Sequence, residues 1–431
     1  MKKEFLIKDA QKFVGREVTI LGWVYNLRSS GSIVFLQIRD GSGFIQATVV
    51  KNDVKSEVFT QAQKVTLETS VEITGLLREE KRSPTGFEIA VSEIRIISFA
   101  QDYPIGKKEH GPDFLLKHRH LWLRSRRQWA ILRIRNQLII GINEFLQQEG
   151  YVRIDTPIIT PSACEGTTTL FEVDYFGEKA YLSQSGQLYL EAAIFSVGKC
   201  YDFSPALRAE KSKTRRHLIE FWMMDAEAAF MDFSQMLDFE TGLIHFLLQK
   251  VLRNCQEEFK ILDRDTKPLA AITTPFVRLT YDETVKKLNE LGSDIVWGTD
   301  LGNDDETILM NHYKVPVFIT HYPAQVKAFY CKKDAQNPKL ALAADLLAHD
   351  GYGEVIGGGQ REEDHQKLVE IIKKEGLNEK DYAWYLDLRK YGSVPHSGFG
   401  IGLERLVAWI CKLDHVRESI PFPRLLDRFY P

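Results

Sequence analysis

The first 100 residues contain five short stretches with the pattern of β-strands, and turns separate them. They are "EVTILGWVYNLR", "SIVFLQIRD", "GFIQATVV", "SVEITGLLREE" and "GFEIAVSEIRIISF". Apolar and polar residues alternate within them, as expected for strands that bury one face. Five such strands in about 100 residues predict a small Greek-key barrel.

The second and third stretches place an aromatic side chain on the polar face of this barrel. The alternation directs one set of residues inward: Val34, Leu36, Ile38, Ile45, Ala47 and Val49. The opposite face then carries Phe35, Phe44, Gln46 and Thr48. From the residues alone, Phe35 is equally a partly covered surface ring or a ligand contact. The oligonucleotide-binding fold, the best candidate for this barrel, stacks bases on such rings.

The composition is that of a soluble globular protein with two or three domains. The chain has 431 residues, of which 44% are hydrophobic and 27% charged. No apolar run reaches the roughly 18 residues of a membrane span, and the N-terminus has no signal-peptide pattern. Five cysteines without a C-x-x-C pair argue against disulfides and structural zinc. We therefore expect a cytoplasmic protein with reduced, mostly buried cysteines.

Beyond the barrel, the pattern changes to helices alternating irregularly with strands. Residues 101–127 have no clean period and carry a net positive charge, which suits either a charged connector or a phosphate-binding patch. The next segment places Ile131, Ile134, Leu138, Ile142 and Phe145 on one helical face, with Gly150 as a C-cap. We predict a barrel over residues 1–100, a linker over 101–127 and an α+β domain over 128–431, with an antiparallel sheet flanked by helices.

The stretch "FSPALRAEKSKTRRHLIEFWMMDAE" predicts a hairpin that can bind a polyphosphate. Its loop carries six basic residues: Arg208, Lys211, Lys213, Arg215, Arg216 and His217. Arg208 can bind a phosphate with its planar guanidinium, and Phe221 on the second strand can stack on a purine. In isolation, a charge run of this kind is more often a solvated loop.

Two further stretches supply a glycine-rich surface and paired acids. In "HSGFGIGLERLVAWIC", Gly398, Gly400 and Gly402 alternate, so that a flat ligand can approach one face of a strand before Arg405 begins a helix. In "DLLAHDGYGEVIGGGQRE", Asp345 and Glu354 can bind magnesium. A purine shelf, arginines, two acids and the absence of a nucleophile paired with a base indicate nucleotide activation by positioning.

These stretches resemble the motifs of the class II aminoacyl-tRNA synthetases, in the subgroup of the aspartyl, asparaginyl and lysyl enzymes. "EGYVRIDTPIIT" resembles the first motif, which builds the dimer interface in that family. "ALRAE" through "EFW" resembles the second motif and "GFGIGLER" the third. The resemblance covers essentially the whole chain in the family's order. It implies an OB-fold anticodon-binding domain before the catalytic domain, a homodimer, and the use of ATP with Mg²⁺.

The resemblance also assigns roles to individual residues. It implies that Arg208 binds the α-phosphate, that His217 and Arg405 bind the outer phosphates, and that adenine lies between Phe221 and Arg405, near Glu210 and Gly402. Asp345 and Glu354 are implied to hold magnesium. The amino acid is expected to contact Glu165, Ser185, Gln187, Asp225 and Arg361, and the anticodon to contact Arg28, Phe35 and Gln46.

Within the subgroup, "LSQSGQLYLEAA", the hairpin and the ending "HVRESIPFPRLLDRFYP" resemble the asparaginyl members. These members activate L-asparagine and charge tRNA(Asn). Leu190 stands where the aspartyl relatives have a lysine, and Asp225 is expected to accept the substrate amide. Asp225 also departs from the asparaginyl pattern M-x-E-P-E, because aspartyl enzymes carry Asp at this position. Relaxed specificity therefore stays open.

The alternatives are an aspartyl-tRNA synthetase that charges one or two tRNAs, an ATP-dependent asparagine synthetase on the same scaffold, and an inactive RNA-binding module. The barrel face with Phe35 and Gln46 argues against the second alternative. The set Arg208, Glu354 and Arg405 argues against the third. Residues 263–310 have no assigned role, and "GSDIVWGTDLGNDDE" within them is expected to be a surface excursion.

Overall fold

The computed structural model describes residues 5–164 and 170–431, and it divides the chain into two compact units, residues 1–111 and 112–431. In those described ranges, no helix is long and apolar enough to cross a membrane. The five cysteines are buried thiols, as the sequence predicts.

The first unit is a closed five-stranded barrel with the strand order β1-β2-β3-β5-β4. A 3₁₀ turn precedes it at Ile7–Phe13, and one helix, α1 (Ser56–Lys64), lies between its third and fourth strands. The strands are β1 (Glu17–Ser30), β2 (Ile33–Arg39), β3 (Phe44–Val50), β4 (Ser70–Glu79) and β5 (Phe87–Ser98). This confirms the predicted OB-type barrel.

The predicted alternation holds for the barrel core but is incomplete on the outer face. All six residues predicted to point inward are at most 1% exposed. Phe44 and Thr48, predicted to face outward, are also buried. The ring of Phe44 packs edge-on against Tyr25 at 5.0 Å, and the Thr48 hydroxyl donates a hydrogen bond to Glu88 at 2.9 Å. Contacts between outward-facing side chains therefore cover this part of the surface.

The second unit is an α+β domain that begins at Pro112. Its helices are α2 (Pro112–Lys117), α3 (Arg119–Trp122), α4 (Arg126–Gln148), α5 (Gln187–Val197), α6 (Phe233–Asn254), α7 (Gln256–Ile261), α8 (Lys267–Ala270), α9 (Tyr281–Glu290), α10 (Asn303–Tyr313), α11 (His365–Lys374), α12 (Ala383–Lys390) and α13 (Leu403–Cys411). Short 3₁₀ helices lie at Ala324–Val326, Glu379–Tyr382 and Val416–Glu418.

Part of the segment predicted as a linker is helical and belongs to this second unit. Helices α2 and α3 and the start of α4 lie within residues 112–127. Arg119 is buried, and its Nε donates to the backbone oxygen of Pro421 at 2.8 Å. This long-range contact, which no local pattern shows, holds the segment against the end of the chain.

The strands of the second unit form two sheets. They are β6 (Val152–Arg153), β7 (Ile159–Thr160), β8 (Glu172–Tyr175), β9 (Glu178–Leu182), β10 (Lys199–Tyr201), β11 (Ser204–Leu207), β12 (Glu220–Ala229), β13 (Val277–Thr280), β14 (Val317–Thr320), β15 (Ala343–Ala348), β16 (Gly353–Gln360) and β17 (His396–Gly402). The main sheet runs β13-β14-β15-β16-β17-β12-β10-β6, with β11 paired to β12, and β7, β9 and β8 form a small sheet.

The main sheet is antiparallel in its interior, as predicted, but parallel at both edges. Strands β13 and β14 pair in parallel, and so do β10 and β6. A parallel pair requires a crossover connection, which α9 and α10 provide between β13 and β14. The predicted helical face of α4 packs in the main core, where Ile131, Ile134, Leu138 and Ile142 are fully buried.

The stretch expected to be a surface excursion, residues 292–306, contains no buried residue. Residues 263–310, to which the sequence assigns no role, nevertheless contribute to the fold of the second unit. Residues 277–280 form an edge strand of the main sheet. Helix α10 also contacts the basic hairpin loop, because Arg216 donates to Asn303 at 3.1 Å and to Thr307 at 2.9 Å and forms an ion pair with Glu306. This segment thus supports the loop that the sequence assigns to phosphate binding.

Candidate active site

A cavity of about 300 Å³ lies in the second unit, against the central strands of the main sheet. Its wall includes all seven residues predicted for nucleotide binding: Arg208, Glu210, His217, Phe221, Glu354, Gly402 and Arg405. They come from the hairpin β11–β12, from β16 and β17, and from the first turn of α13. The structure therefore brings together residues that are almost 200 positions apart in the chain.

The hairpin places a cation beside the aromatic shelf. Strands β11 and β12 pair antiparallel, with Ala206 opposite Phe221 and Leu207 opposite Glu220. The guanidinium carbon of Arg208 lies 5.4 Å from the centroid of the Phe221 ring. This is cation–π distance, and the flat ring and the planar cation form adjoining surfaces for a purine and a phosphate.

The six basic residues of the hairpin loop do not all serve the cavity. Arg215 Nη2 donates to the backbone oxygen of Gly351 at 3.2 Å, and Arg216 also donates to that oxygen. Arg208, Lys213, Arg216 and His217 line the cavity. The loop is therefore tied to the turn after β15 by two of the arginines that the sequence alone groups with the phosphate ligands.

The surroundings of His217 favour the neutral form of its ring. Burial lowers its pKa, and the nearby guanidinium of Arg405 lowers it further. Its Nδ1 lies 3.2 Å from the Ser212 hydroxyl and also contacts the hydroxyl of Thr214. These contacts orient the ring, whose role at the cavity is then hydrogen bonding rather than fixed positive charge.

The three alternating glycines of β17 open space for different groups. Met223, Asp225 and Glu227 on β12 face Gly402, Gly400 and Gly398, respectively. A Cβ atom at Gly402 would meet no atom within 4 Å, whereas one at Gly400 would lie 2.5 Å from Asp225 Oδ1 and one at Gly398 would overlap the Glu227 carboxylate. Only Gly402 therefore leaves room for a ligand, and the other two make room for acids.

Asp345 and Glu354 lie together on adjacent strands. A Cβ atom on Gly357, which pairs with Asp345, would lie 2.7 Å from Glu354 Oε1 and 3.5 Å from Asp345 Oδ1. Burial, with the Glu354 charge, raises the pKa of Asp345 to about 6, although Lys327 opposes this from 2.6 Å. Burial alone would raise the pKa of Glu354. The charges of Arg405 and Lys327 outweigh this effect, so the pKa of Glu354 is lowered.

This donor set fits a magnesium ion that also binds phosphates. Mg²⁺ prefers oxygen ligands and is commonly held by one or two carboxylates together with substrate phosphates and water. Within the part of the chain that the structure describes, no group of three or more His, Cys, Asp or Glu side chains can hold a metal ion. Asp345 and Glu354 would therefore supply two ligands, and the nucleotide and water the others.

Four of the five residues predicted to bind the amino acid lie on or around strand β12 of the main sheet. Ser185, Gln187, Asp225 and Arg361 are each at most 6% exposed. Asp225 Oδ2 accepts hydrogen bonds from the Ser185 hydroxyl at 2.7 Å and from the Gly186 backbone N–H at 3.1 Å. Glu165, assigned to the same group, lies outside the described residues.

Sequence reasoning missed the acid that binds Arg361. Arg361 Nε donates to Glu227 at 3.1 Å, and its Nη2 donates to the same carboxylate. Glu227 follows Asp225 by two residues on β12, so strand periodicity places both acids on one face, a signal that was available in the sequence. Lys327 and the C-terminal residues Leu425 and Asp427 at the cavity were also missed.

On the barrel, the three residues predicted to bind an anticodon lie on neighbouring strands. Arg28 on β1 pairs with Phe35 on β2, and its guanidinium carbon is 4.8 Å from the ring centroid. Gln46 on β3 donates to Glu88 at 2.8 Å. Phe35 is partly exposed, so a ring and a cation face outward together.

Known protein families match both units of the chain. The model of the tRNA synthetases class II (D, K and N) matches residues 111–426, and that of the OB-fold nucleic acid binding domain matches residues 18–97. The chain is 52% identical to the asparagine–tRNA ligase of Pelotomaculum thermopropionicum over the full length of both proteins. It is 53% identical to that of Desulforamulus reducens over 99% of each.

Solved structures give the same picture. The asparaginyl-tRNA synthetase of Pyrococcus horikoshii complexed with asparaginyl-adenylate superposes with a TM-score of 0.96 at 43% identity, covering both chains completely. An aspartyl-tRNA synthetase from Entamoeba histolytica superposes with a TM-score of 0.85 at 27% identity, covering 100% of this chain and 93% of that one.

Proposed function

The chain belongs to the class II tRNA synthetases of the aspartyl, lysyl and asparaginyl group, and we propose that it is an asparagine–tRNA ligase. It activates L-asparagine with ATP to asparaginyl-AMP and pyrophosphate, then transfers the asparaginyl group to the 3′ end of tRNA(Asn). The observation that carries this proposal is that all seven residues predicted to bind the nucleotide line one and the same cavity. Full-length identity of 52% to an asparagine–tRNA ligase supports the choice of amino acid.

Activation proceeds by positioning and charge stabilisation. The α-carboxylate oxygen of asparagine attacks the α-phosphorus of ATP, and the bond to pyrophosphate breaks, so no side chain needs to remove a proton. Arg208 binds the α-phosphate and stabilises its developing charge, while His217 and Arg405 bind the leaving group. The adenine stacks on Phe221 over the open space at Gly402, with Glu210 at its edge.

Magnesium is assigned to the two carboxylates over Gly357. Asp345 and Glu354 would hold the ion, which supplies positive charge to the phosphates when it is bound. Arg405 and Lys327 already contact these acids, at 3.3 Å and 2.6 Å. Protein cations therefore keep both acids oriented towards the place where the nucleotide enters.

Selection of asparagine over aspartate is assigned to the charge around Asp225. With one oxygen held by Ser185 and Gly186, the carboxylate is oriented to accept the substrate amide and to repel a second carboxylate. Arg361 meets the side-chain oxygen, and its charge is balanced by Glu227. Leu190 is fully buried against Ile194 and Cys200, so this position supplies no cation for aspartate.

The barrel recognises the anticodon in this proposal. A base stacks on Phe35, Arg28 contacts the adjoining phosphate or base, and Gln46 hydrogen-bonds a base edge. The support is the adjacency of the three residues on β1, β2 and β3. Such a surface has no use in an enzyme that makes free asparagine.

We further propose a homodimer located in the cytoplasm. The segment that resembles the family's first motif exposes three apolar side chains, Val152, Ile158 and Ile159, at 44%, 46% and 46%. Apolar patches of this kind are covered in dimers. Light scattering should give twice the chain mass of 49.5 kDa; a monomer at micromolar concentration would refute the dimer.

The substrate assignment is tested by ATP–pyrophosphate exchange with asparagine, aspartate and lysine in parallel. We expect exchange with asparagine and at least a hundredfold lower kcat/KM with aspartate. Comparable exchange with aspartate would overturn the asparagine assignment and retain the fold and the mechanism. A separate assay for free asparagine formed from aspartate, ammonia and ATP should be negative.

A further inference from the structure

Glu191 lies behind the amino-acid site and collects several hydrogen-bond donors. It lies on α5, one helical turn after Gln187, and it is fully buried. Its oxygens accept from Gln187 Nε2 at 3.1 Å, from the Tyr385 hydroxyl at 2.8 and 2.9 Å, from His396 Nε2 at 2.9 Å and from Arg389 Nη2. A buried carboxylate with this many donors is ionised and rigid.

The donors to Glu191 are themselves fixed by backbone oxygens. Arg389 Nε donates to Glu362 at 2.9 Å, and His396 Nδ1 donates to Val394 at 2.8 Å. Each nitrogen of the His396 ring therefore lies beside an oxygen atom, which fixes the orientation of the ring against Glu191. Burial raises the pKa of Glu191, but Arg389 and His396 outweigh it and hold that pKa well below the usual range. The charge of Glu191 therefore does not change near neutral pH.

This network determines which way the Gln187 amide points. A carboxylate only accepts hydrogen bonds, so the group of Gln187 that faces Glu191 is its NH₂. The amide oxygen then lies on the side away from Glu191. The Gln187 backbone N–H also donates to the Ser185 hydroxyl at 3.1 Å, which fixes the start of the helix beside Asp225.

We propose that Glu191 is a positioning residue for the α-ammonium group of the substrate, acting through Gln187. The inference rests on the proposed function, in which Gln187 lies at the amino end of asparagine. With Glu191 in place, Gln187 presents its oxygen, which accepts an N–H of the ammonium. Without that acceptor, the amide can turn by 180° and present its own N–H groups to the cation, which weakens binding.

The test variant is Glu191→Asp, which retains the negative charge paired with Arg389 but is one methylene shorter. We expect KM for asparagine to rise about tenfold, since a misdirected amide costs about one hydrogen bond to a charged group. KM for ATP should stay within experimental error of the wild type, whereas the midpoint of thermal unfolding should fall, because the shorter acid loses buried contacts. Glu191→Gln serves as the second variant if the first does not fold.

Succinamic acid, which is asparagine without its α-amino group, separates positioning from general damage. Its inhibition constant against asparagine should be unchanged by Glu191→Asp, because it has no ammonium to bind. The matched control is Tyr385→Phe, which removes another donor to Glu191 without touching Gln187. This control should leave KM for asparagine within twofold of the wild type.

A double-variant cycle completes the test. In a Gln187→Leu background, Glu191→Asp should add no further rise in KM for asparagine, because its effect passes through Gln187. A parallel rise in the inhibition constant of succinamic acid, an additive effect in the cycle, or an unchanged KM in both Glu191 variants would each overturn the inference. Absence of wild-type exchange with asparagine would instead overturn the proposed function.

Discussion

Arg405 and Glu354 contact each other across the cavity: Arg405 Nη1 lies 3.3 Å from Glu354 Oε2 and 3.0 Å from its backbone oxygen. Arg405 lies in the first turn of α13, and Glu354 lies on β16. The acid that is proposed to hold magnesium therefore orients the cation that is proposed to bind the outer phosphates. Such pre-organised charges stabilise a transition state without reorganisation when the reaction occurs.

Replacing Arg405 by alanine should reduce ATP–pyrophosphate exchange about 100- to 1000-fold, since one lost contact to developing charge commonly has that effect. The loss should appear mainly in kcat. Arg253→Ala removes an exposed arginine on α6 and is the control. Near-normal exchange by Arg405→Ala, at an unchanged unfolding midpoint, would remove Arg405 from the site.

Asp225→Asn should erode the preference for asparagine over aspartate at least tenfold, measured as the ratio of kcat/KM values in the exchange assay. The physical reason is that an amide at this position no longer repels a substrate carboxylate. Asp238→Asn, which alters a mostly exposed acid paired with Arg278, should leave the ratio unchanged. A constant ratio in Asp225→Asn would place the discrimination elsewhere, with Glu227 as the next residue to test.

Phe35→Ala should weaken aminoacylation of tRNA while sparing tRNA-independent exchange. Loss of one stacked base costs about 1–3 kcal/mol, which corresponds to a rise in KM for tRNA of about 5- to 150-fold. Phe99→Ala removes a ring of the same unit that is 50% exposed, and it should have no such effect. Equal loss of charging and exchange would indicate damage to the whole protein instead of a missing base contact.

The glycines of β17 provide a paired test of ligand space against packing. A Cβ atom at Gly402 would meet nothing within 4 Å, so we expect Gly402→Val to fold normally and to raise KM for ATP by at least tenfold because it occupies the proposed purine shelf. Gly398→Ala should lower the unfolding midpoint, since its methyl group overlaps the buried Glu227 carboxylate. Normal ATP kinetics in Gly402→Val would move the purine away from this strand.

Features of the structure that depend on residues close together in the chain could be predicted from the sequence, whereas contacts between distant residues could not. The inward face of the barrel is predictable, because alternation within one strand decides which side chains it buries, as Leu36 and Ala47 show. The grouping of the seven cavity residues is predictable because each lies in a short motif with a recognisable chemistry. Phe44 was missed because its cover, Tyr25, comes from another strand.

Contacts between distant segments account for the other differences. Arg216 is indistinguishable in sequence from its basic neighbours, yet it binds helix α10, about 90 residues later. The Arg361–Glu227 pair spans 134 positions: strand periodicity places Glu227 on the face of Asp225, but it does not show that Arg361 is the partner. These pairs form only when the sheet and its crossover are assembled, so they are properties of the fold and not of any segment.

His415, at the wall of the cavity, should make stability depend on acidity. Burial, with Arg417, lowers its pKa to about 4, and its Nδ1 accepts the Arg417 backbone N–H at 3.1 Å, which requires an unprotonated nitrogen. As the pH falls, the unfolded chain protonates this histidine first, near pH 6.5, whereas the folded protein does so only near pH 4. The contribution of the neutral ring to the free energy of unfolding is therefore complete above pH 6.5 and is lost as the pH falls towards 4. For a half-buried ring we expect about 1–2 kcal/mol over this window.

The free energy of unfolding in urea, measured from pH 7.5 to 4.5 for the wild type and His415→Asn, checks this expectation. Asparagine can accept the same N–H but does not titrate, so the variant should lose about 1–2 kcal/mol less than the wild type on acidification. His312→Asn, at an exposed position of α10, is the control for a histidine without burial. Parallel pH profiles for the wild type and His415→Asn would show that groups other than His415 set the acid limit of stability, because only the wild type has an imidazole to protonate at this position.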